Sequence, residues 1–212
     1  MPVATYDLFG QPAGFSSLAA DSTDYTMGVQ WEVTLSGGQT AVLAGIRWYS
    51  PAGATVLPDH IALYAVAGRS LVASQVASWS GAAGSGWVTA LFGSLPALAS
   101  ATFYKGAILK GNGGAGNFYG AIGAYWSSGL GAAGVTSGPL FAPNNAGADG
   151  GQDTFNAATS LTYPLSSFNA ANYGVDVVVQ VTTPAPPAVA AARQLAEGGR
   201  SPAKKLMLAG VI

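Results

Sequence analysis

The sequence predicts an all-β fold, an antiparallel β-sandwich of jelly-roll type followed by an extended C-terminal arm. Half of the 212 residues are hydrophobic, whereas only 8% are charged. Short apolar and β-branched segments recur between glycine, proline and serine, and no long amphipathic helix pattern interrupts them. Such a series of short strands separated by turn residues is typical of sandwiches.

The strand with the clearest pattern covers residues 25–33, YTMGVQWEV. Tyr25, Met27, Val29, Trp31 and Val33 alternate with small or polar residues in this segment. Because successive side chains of a strand point to opposite faces, these five share one face. The pattern therefore predicts a half-buried strand.

Seven further segments have strand character and are bounded by glycine, proline or serine. They are residues 41–49, 60–66, 71–78, 86–92, 102–109, 118–125 and 173–182. Together they predict one domain over residues 1–182. Within it, residues 127–172 are rich in Gly, Ala, Asn and Pro with scattered aromatics, which indicates a long loop excursion that packs on the domain.

Residues 183–212 differ in composition and predict a Pro/Ala-rich linker and a docking arm. Residues 1–182 carry four basic and eight acidic side chains, a net of −4, whereas residues 183–212 carry four basic and one acidic, a net of +3. Residues 188–197 predict a short helix. The predicted docking residues are Arg200, Lys204, Lys205, Leu206, Met207, Leu208, Val211 and Ile212. Cations beside apolar side chains without a core of their own favour a protein partner.

Several classes of protein are disfavoured by what the chain lacks. It has no cysteine, and no run of 18 apolar residues that would predict a membrane helix. Its first residues, MPVATYDLFG, lack a basic segment followed by an apolar one, so we expect synthesis in the cytoplasm without a signal peptide. The net acidic domain with dispersed basic residues argues against nucleic-acid binding.

Candidate catalytic and metal-binding residues are few. His60 is the only histidine, and we expect it at the start of a strand rather than in a catalytic triad. The close acidic pairs are Asp21 with Asp24 and Asp149 with Asp153, all in turn-like sequence where Asp commonly binds its own backbone. An oxygen-ligand calcium site at either pair is a weaker alternative. We therefore expect no catalysis, no metal and no cofactor.

Aromatic residues leave two interpretations open, a core and a sugar-stacking platform. The residues in question are Trp48, Tyr49, Trp79, Trp87, Tyr125 and Trp126. On the second interpretation Trp48, Trp79 and Trp126 are the expected glycan contacts.

An ordered series of short motifs is similar to the DUF4082 family of β-sandwich domains. The series comprises Leu8-Phe9-Gly10, Asp24-Tyr25-Thr26-Met27-Gly28-Val29, Gly45-Ile46-Arg47-Trp48-Tyr49, Leu63-Tyr64, Ser85-Gly86-Trp87, Tyr163-Pro164, Ser167-Phe168-Asn169 and Asn172-Tyr173-Gly174-Val175-Asp176-Val177-Val178-Val179. The resemblance covers roughly residues 6–182. It implies a sandwich found in secreted bacterial multidomain proteins and in minor tail or other virion proteins of phages that infect actinobacteria.

The expected function is therefore that of a non-enzymatic structural virion protein of a bacteriophage, a minor tail or capsid-decoration subunit. Its partners would be other virion proteins or copies of itself, docked through the C-terminal arm. The alternative is a carbohydrate- or cell-surface-binding module with an extracellular location and a host-surface glycan as its ligand. Neither expectation involves a nucleic acid or a membrane.

Overall fold

A computed structural model describes residues 1–10, 14–15, 17–20, 23–111 and 118–185 of the chain. These residues form strands, turns and two short 3₁₀ turns at Ala67–Arg69 and Asn145–Gly147, without an α-helix. The predicted helix at 188–197 and the predicted docking residues, from Arg200 to Ile212, lie outside the described part.

Fifteen strands are present in the described residues. In chain order they are β1 Val3–Tyr6, β2 Ser17–Ala20, β3 Tyr25–Val33, β4 Thr40–Ser50, β5 His60–Ala65, β6 Ser70–Val76, β7 Trp79–Ser80, β8 Gly86–Leu91, β9 Ala97–Leu98, β10 Phe103–Lys110, β11 Phe118–Ala121, β12 Val135–Ser137, β13 Leu140–Ala142, β14 Thr154–Ala157 and β15 Val175–Thr182.

Two antiparallel sheets contain most of these strands. The six-stranded sheet has the order β1-β15-β4-β8-β7, and β9 also pairs with β4. The seven-stranded sheet has the order β12-β13-β3-β10-β5-β6, and β14 also pairs with β3. A two-stranded sheet joins β11 to β2. The prediction of an antiparallel β-sandwich is thus confirmed.

The main core lies between the two large sheets and contains the predicted face of β3. Met27, Val29, Trp31 and Val33 are all at most 1% exposed, and they pack with the alternate valines of β15 in one apolar cluster. The sheets approach closely at Gly106 of β10. A Cβ there would lie 2.6 Å from Val177 Cγ1 and 3.0 Å from Ile46 Cδ1, so this position has room only for glycine.

The predicted loop excursion at 127–172 is corrected in part. It contains β12, β13 and β14, and the last two pair with the same edge of β3 that faces away from β10. The low content of β-branched residues hides these short strands, which form because β3 offers unpaired backbone groups. Predicted strand 118–125 ends early, at Ala121, and the chain turns at Ala124, where φ is +54°.

Candidate functional site

Residues 143–165, called here the outer cover, close the face of the seven-stranded sheet that points away from the core. Lys105 lies beneath them on β10 and is fully buried. Its ammonium group donates to Asp149 O at 2.6 Å, Thr154 Oγ1 at 2.9 Å and Pro164 O at 3.0 Å. Burial lowers the pKa of Lys105 to about 8. All three N–H groups of the ammonium group have acceptors, so Lys105 holds the outer cover against β10.

Gln152 completes the edge of β3 between the short strands β13 and β14. Its Oε1 accepts from the backbone N–H of Gln30 at 2.8 Å, and its Nε2 donates to the Gln30 carbonyl at 2.7 Å. The side-chain amide therefore takes the place that a strand residue would occupy. Gln30 Oε1 in turn accepts from Asp149 N at 2.9 Å.

The predicted acidic pair Asp149 and Asp153 is divided between two settings. Asp149 accepts from Arg69 at 2.9 and 3.1 Å and from Tyr163 Oη at 2.9 Å, and its hydrogen bond with Arg69 lowers its pKa. Asp153 is fully buried and accepts from Trp126 Nε1 and Tyr173 N, each at 3.2 Å. Burial raises the pKa of Asp153 well above its ordinary value. The surroundings therefore shift the pKa values of the two carboxyl groups in opposite directions.

An ion cluster around the buried Arg47 and Asp176, which the sequence did not reveal, joins the first and last parts of the domain. Arg47 Nη1 lies 2.7 Å from Asp7 Oδ2 and 3.0 Å from Asp176 Oδ2. Asp176 also accepts from Leu8 N at 2.9 Å. Burial raises the pKa of Asp176 to about 7, although Arg47 opposes that effect. These residues lie far apart in the chain, so no local pattern could reveal the cluster.

The described residues contain no cluster of metal-binding side chains. No three His, Cys, Asp or Glu side chains among them are placed to hold a metal ion. His60 begins β5, as predicted, and lies opposite Val76 of β6. Asp21 lies outside the described part of the chain. Its proposed pairing with Asp24 therefore stays a prediction.

The expectation that Trp48 and Trp126 form an exposed glycan platform is wrong. Both are 1% exposed and belong to the core. Trp79 is half-buried against that core and donates to Pro58 O at 2.6 Å. Trp48 points into the core from β4, where alternate side chains face inward. Trp126 follows the turn at Ala124 and is buried together with Tyr125.

One edge of the seven-stranded sheet is apolar and exposed. Strand β6, SLVASQV, is the last strand in that sheet order and carries no charged side chain. Leu71, Val72 and Val76 are 52%, 46% and 71% exposed. A groove of about 300 Å³ runs beside the strand and is lined by Val72 and Gln75 on one side and by Phe92 and Ala97 on the other. This strand and groove are called here the β6 edge.

A second concave feature, the aromatic pocket, lies where β3 begins. Its volume is about 290 Å³, and ten residues line it. They are Tyr25, Met27, Tyr119, Ala121, Gly123, Phe155, Phe168, Asn169, Ala171 and Tyr173. Sequence reasoning missed this pocket, because its residues come from four separate parts of the chain.

Comparison with known proteins returned no match to a protein-family model, a curated protein or a solved structure. The resemblance to DUF4082 therefore rests on the quoted motifs alone. No helix in the described ranges has the length and hydropathy of a membrane span.

Proposed function

We propose that this chain is a non-enzymatic structural protein of a bacteriophage virion, and that it docks onto protein neighbours at the β6 edge. The observation that carries the proposal is an exposed, uncharged edge strand with three exposed apolar side chains. Natural sheets usually guard such edges with charges, proline or a bulge, because open backbone groups pair readily with another chain. Strand β6 has neither a charge nor a proline, and the irregularity in its pairing with β5, between Leu63 and Tyr64, is the only such feature at this edge among the described residues. Exposed apolar side chains along the edge suit an interface that assembly covers.

The proposed occupant of the groove is the apolar end of the C-terminal arm, residues 206–212, from a neighbouring copy. Its sequence, LMLAGVI, supplies aliphatic side chains for the apolar part of the groove, which Val72, Phe92, Pro96 and Ala97 form. The arm has a net charge of +3 and the domain a net charge of −4, so the two attract each other.

The exit point of the arm lies close to the groove of the same chain. Strand β15 ends at Thr182, which pairs with Thr40 of β4. Two residues further along β4, Val42 pairs with Ala97, which belongs to the groove wall. Two strand spacings, about 10 Å, separate these strands. An extended linker advances about 3.3 Å per residue, so the arm is long enough to reach the groove of its own chain or, when two copies lie side by side, the groove of the neighbour.

The test compares the full-length chain with Val72→Asp and with a chain that ends at Thr182, by light scattering and by mass spectrometry of particles from the native source. Full-length protein should be oligomeric or incorporated, and both altered proteins should be monomeric, because one places a charge in the groove and the other lacks the occupant. Leu130→Asp is the matched control, since Leu130 is 84% exposed and lies outside the edge.

Each other result has a definite meaning. If Val72→Asp is monomeric while the truncated chain still assembles, a second copy of β6 occupies the edge instead of the arm. If full-length protein is monomeric at every concentration and absent from particles, the structural function is wrong.

A further inference from the structure

Four aromatic rings form a wall of the aromatic pocket. Tyr25, Phe155, Tyr173 and Tyr119 contact one another in a closed circuit, with ring centroids 5.6, 5.9, 6.0 and 6.2 Å apart. Every pair is edge-to-face, with interplanar angles between 72° and 90°. Edge-to-face contacts hold rings in defined orientations. The four rings therefore form a rigid apolar wall around the cavity.

The backbone around this pocket is unusual. Ala124, Asp153, Asn169 and Ala170 all have positive φ, between 43° and 54°, although none is glycine. Two of the loops involved are bound together, since Ala124 N donates to Asn169 O at 2.8 Å and Trp126 N donates to Ala170 O at 3.0 Å. Strained conformations of this kind concentrate at ligand-binding sites. Asn169 lines the cavity, and Ala124 and Ala170 are next to residues that line it, so the shape of this part of the pocket is maintained at a cost.

Phe168 marks the mouth of the pocket. It lines the cavity, yet 71% of it is exposed to solvent. The neighbouring Asn169 also lines the cavity and brings an amide group with both a donor and an acceptor. The pocket thus combines an accessible ring face with a polar group at its rim.

The charges near the pocket limit the ligand that fits. Lys110 Nζ lies 5.6 Å from the Tyr25 ring centroid and 5.3 Å from that of Tyr119. Lys110 therefore already occupies the cation–π contacts of these two rings, which leaves fewer ring faces for a cationic ligand. No charged side chain is among the described residues that line the cavity, so an anion has no direct partner there either.

We infer that the aromatic pocket binds a neutral sugar ring. A pyranose offers apolar C–H faces to the aromatic wall and hydroxyl groups to the amide of Asn169 at the rim. The volume of about 290 Å³ is near the lower end of small-molecule sites, about 300–1,000 Å³, and therefore suits a short glycan end. This site differs from the tryptophan platform expected from the sequence and does not depend on the assembly function.

The test measures binding of neutral hexoses, N-acetylhexosamines and their disaccharides to the full-length chain by saturation-transfer NMR and calorimetry. At least one sugar should bind, and Phe168→Ala should raise its Kd at least tenfold through loss of ring stacking. Asn169→Asp, which keeps a residue that tolerates positive φ, should also weaken binding by replacing the amide donor. Leu130→Ala, at an exposed site outside the pocket, should change Kd less than twofold.

Circular dichroism and thermal melting of each variant show whether it folds as the parent does. Phe168 is largely exposed, so its truncation should leave the fold unchanged. The inference is overturned if no sugar binds at millimolar concentration, or if a sugar binds equally well to both pocket variants. It is also overturned if p-cresol and indole bind while every sugar fails, because the site would then take an apolar ring.

Discussion

The two faces of the seven-stranded sheet are closed by different chemistry. On the inner face Trp31 and Val29 pack into an apolar core without exposure. On the outer face Lys105 of β10 binds the outer cover through hydrogen bonds, and Gln152 of the cover binds the backbone of Gln30 on β3. Apolar packing is non-directional, whereas a buried polar network stabilises only if each partner is satisfied. The two faces should therefore respond to substitution in different ways.

The largest effect is expected on the inner face, from Trp31→Ala. Removal of this fully buried ring leaves a cavity between the sheets, and we expect the free energy of unfolding to fall by about 3–5 kcal/mol. Denaturant titration measures the change, with Leu130→Ala as a control at an exposed site. A loss below about 1 kcal/mol would contradict the assignment of Trp31 to a tightly packed core.

On the outer face, Lys105→Met keeps much of the side-chain volume but removes three donated hydrogen bonds. The carbonyl groups of Asp149 and Pro164 would lose a buried partner, and we expect a loss of about 2 kcal/mol. Hydrogen exchange should accelerate in the outer cover more than in the core strands. If the variant is as stable as the parent, burial of the charge cancels the value of its hydrogen bonds, and the contrast between the faces disappears.

A smaller effect concerns pH and the buried Asp153 beside the core. Burial raises the pKa of Asp153 well above its ordinary value of 3.8, so the folded state retains a proton that the unfolded state releases. The contribution of Asp153 to stability is present below pH 3.8 and is lost as the pH rises from there through the raised pKa. Asp153→Asn keeps an oxygen for both accepted hydrogen bonds and removes the charge. The variant should gain stability relative to the parent as pH rises, in thermal melts from pH 4.5 to 8.

Asp149→Asn is the matched comparison, because Arg69 lowers the pKa of Asp149. Its contribution is present above the ordinary pKa and is lost as pH falls. Asp149→Asn should therefore lose stability relative to the parent at neutral pH and approach it in acid. If stability depends on pH in the same way in both variants, the pKa values of the two carboxyl groups are not shifted in opposite directions, and this prediction is wrong.

Much of the sandwich could be predicted from local patterns. The alternation from Tyr25 to Val33 predicted strand β3 with the bounds that the structure shows. The start of β5 at His60 was also predicted, since residues two positions apart share a face and carry this signal themselves. Strands β13 and β14 were missed because their main support is the open edge of β3.

The sequence by itself determined the all-β class, the period-two strands and the contrast in charge between domain and arm. Only the tertiary structure decided that Trp48 and Trp126 lie in the core, and that Arg47 joins Asp7 to Asp176. It also brought the four rings around the aromatic pocket together. The physical reason is that strand periodicity is a property of neighbouring residues, whereas strand order and register determine which distant side chains meet.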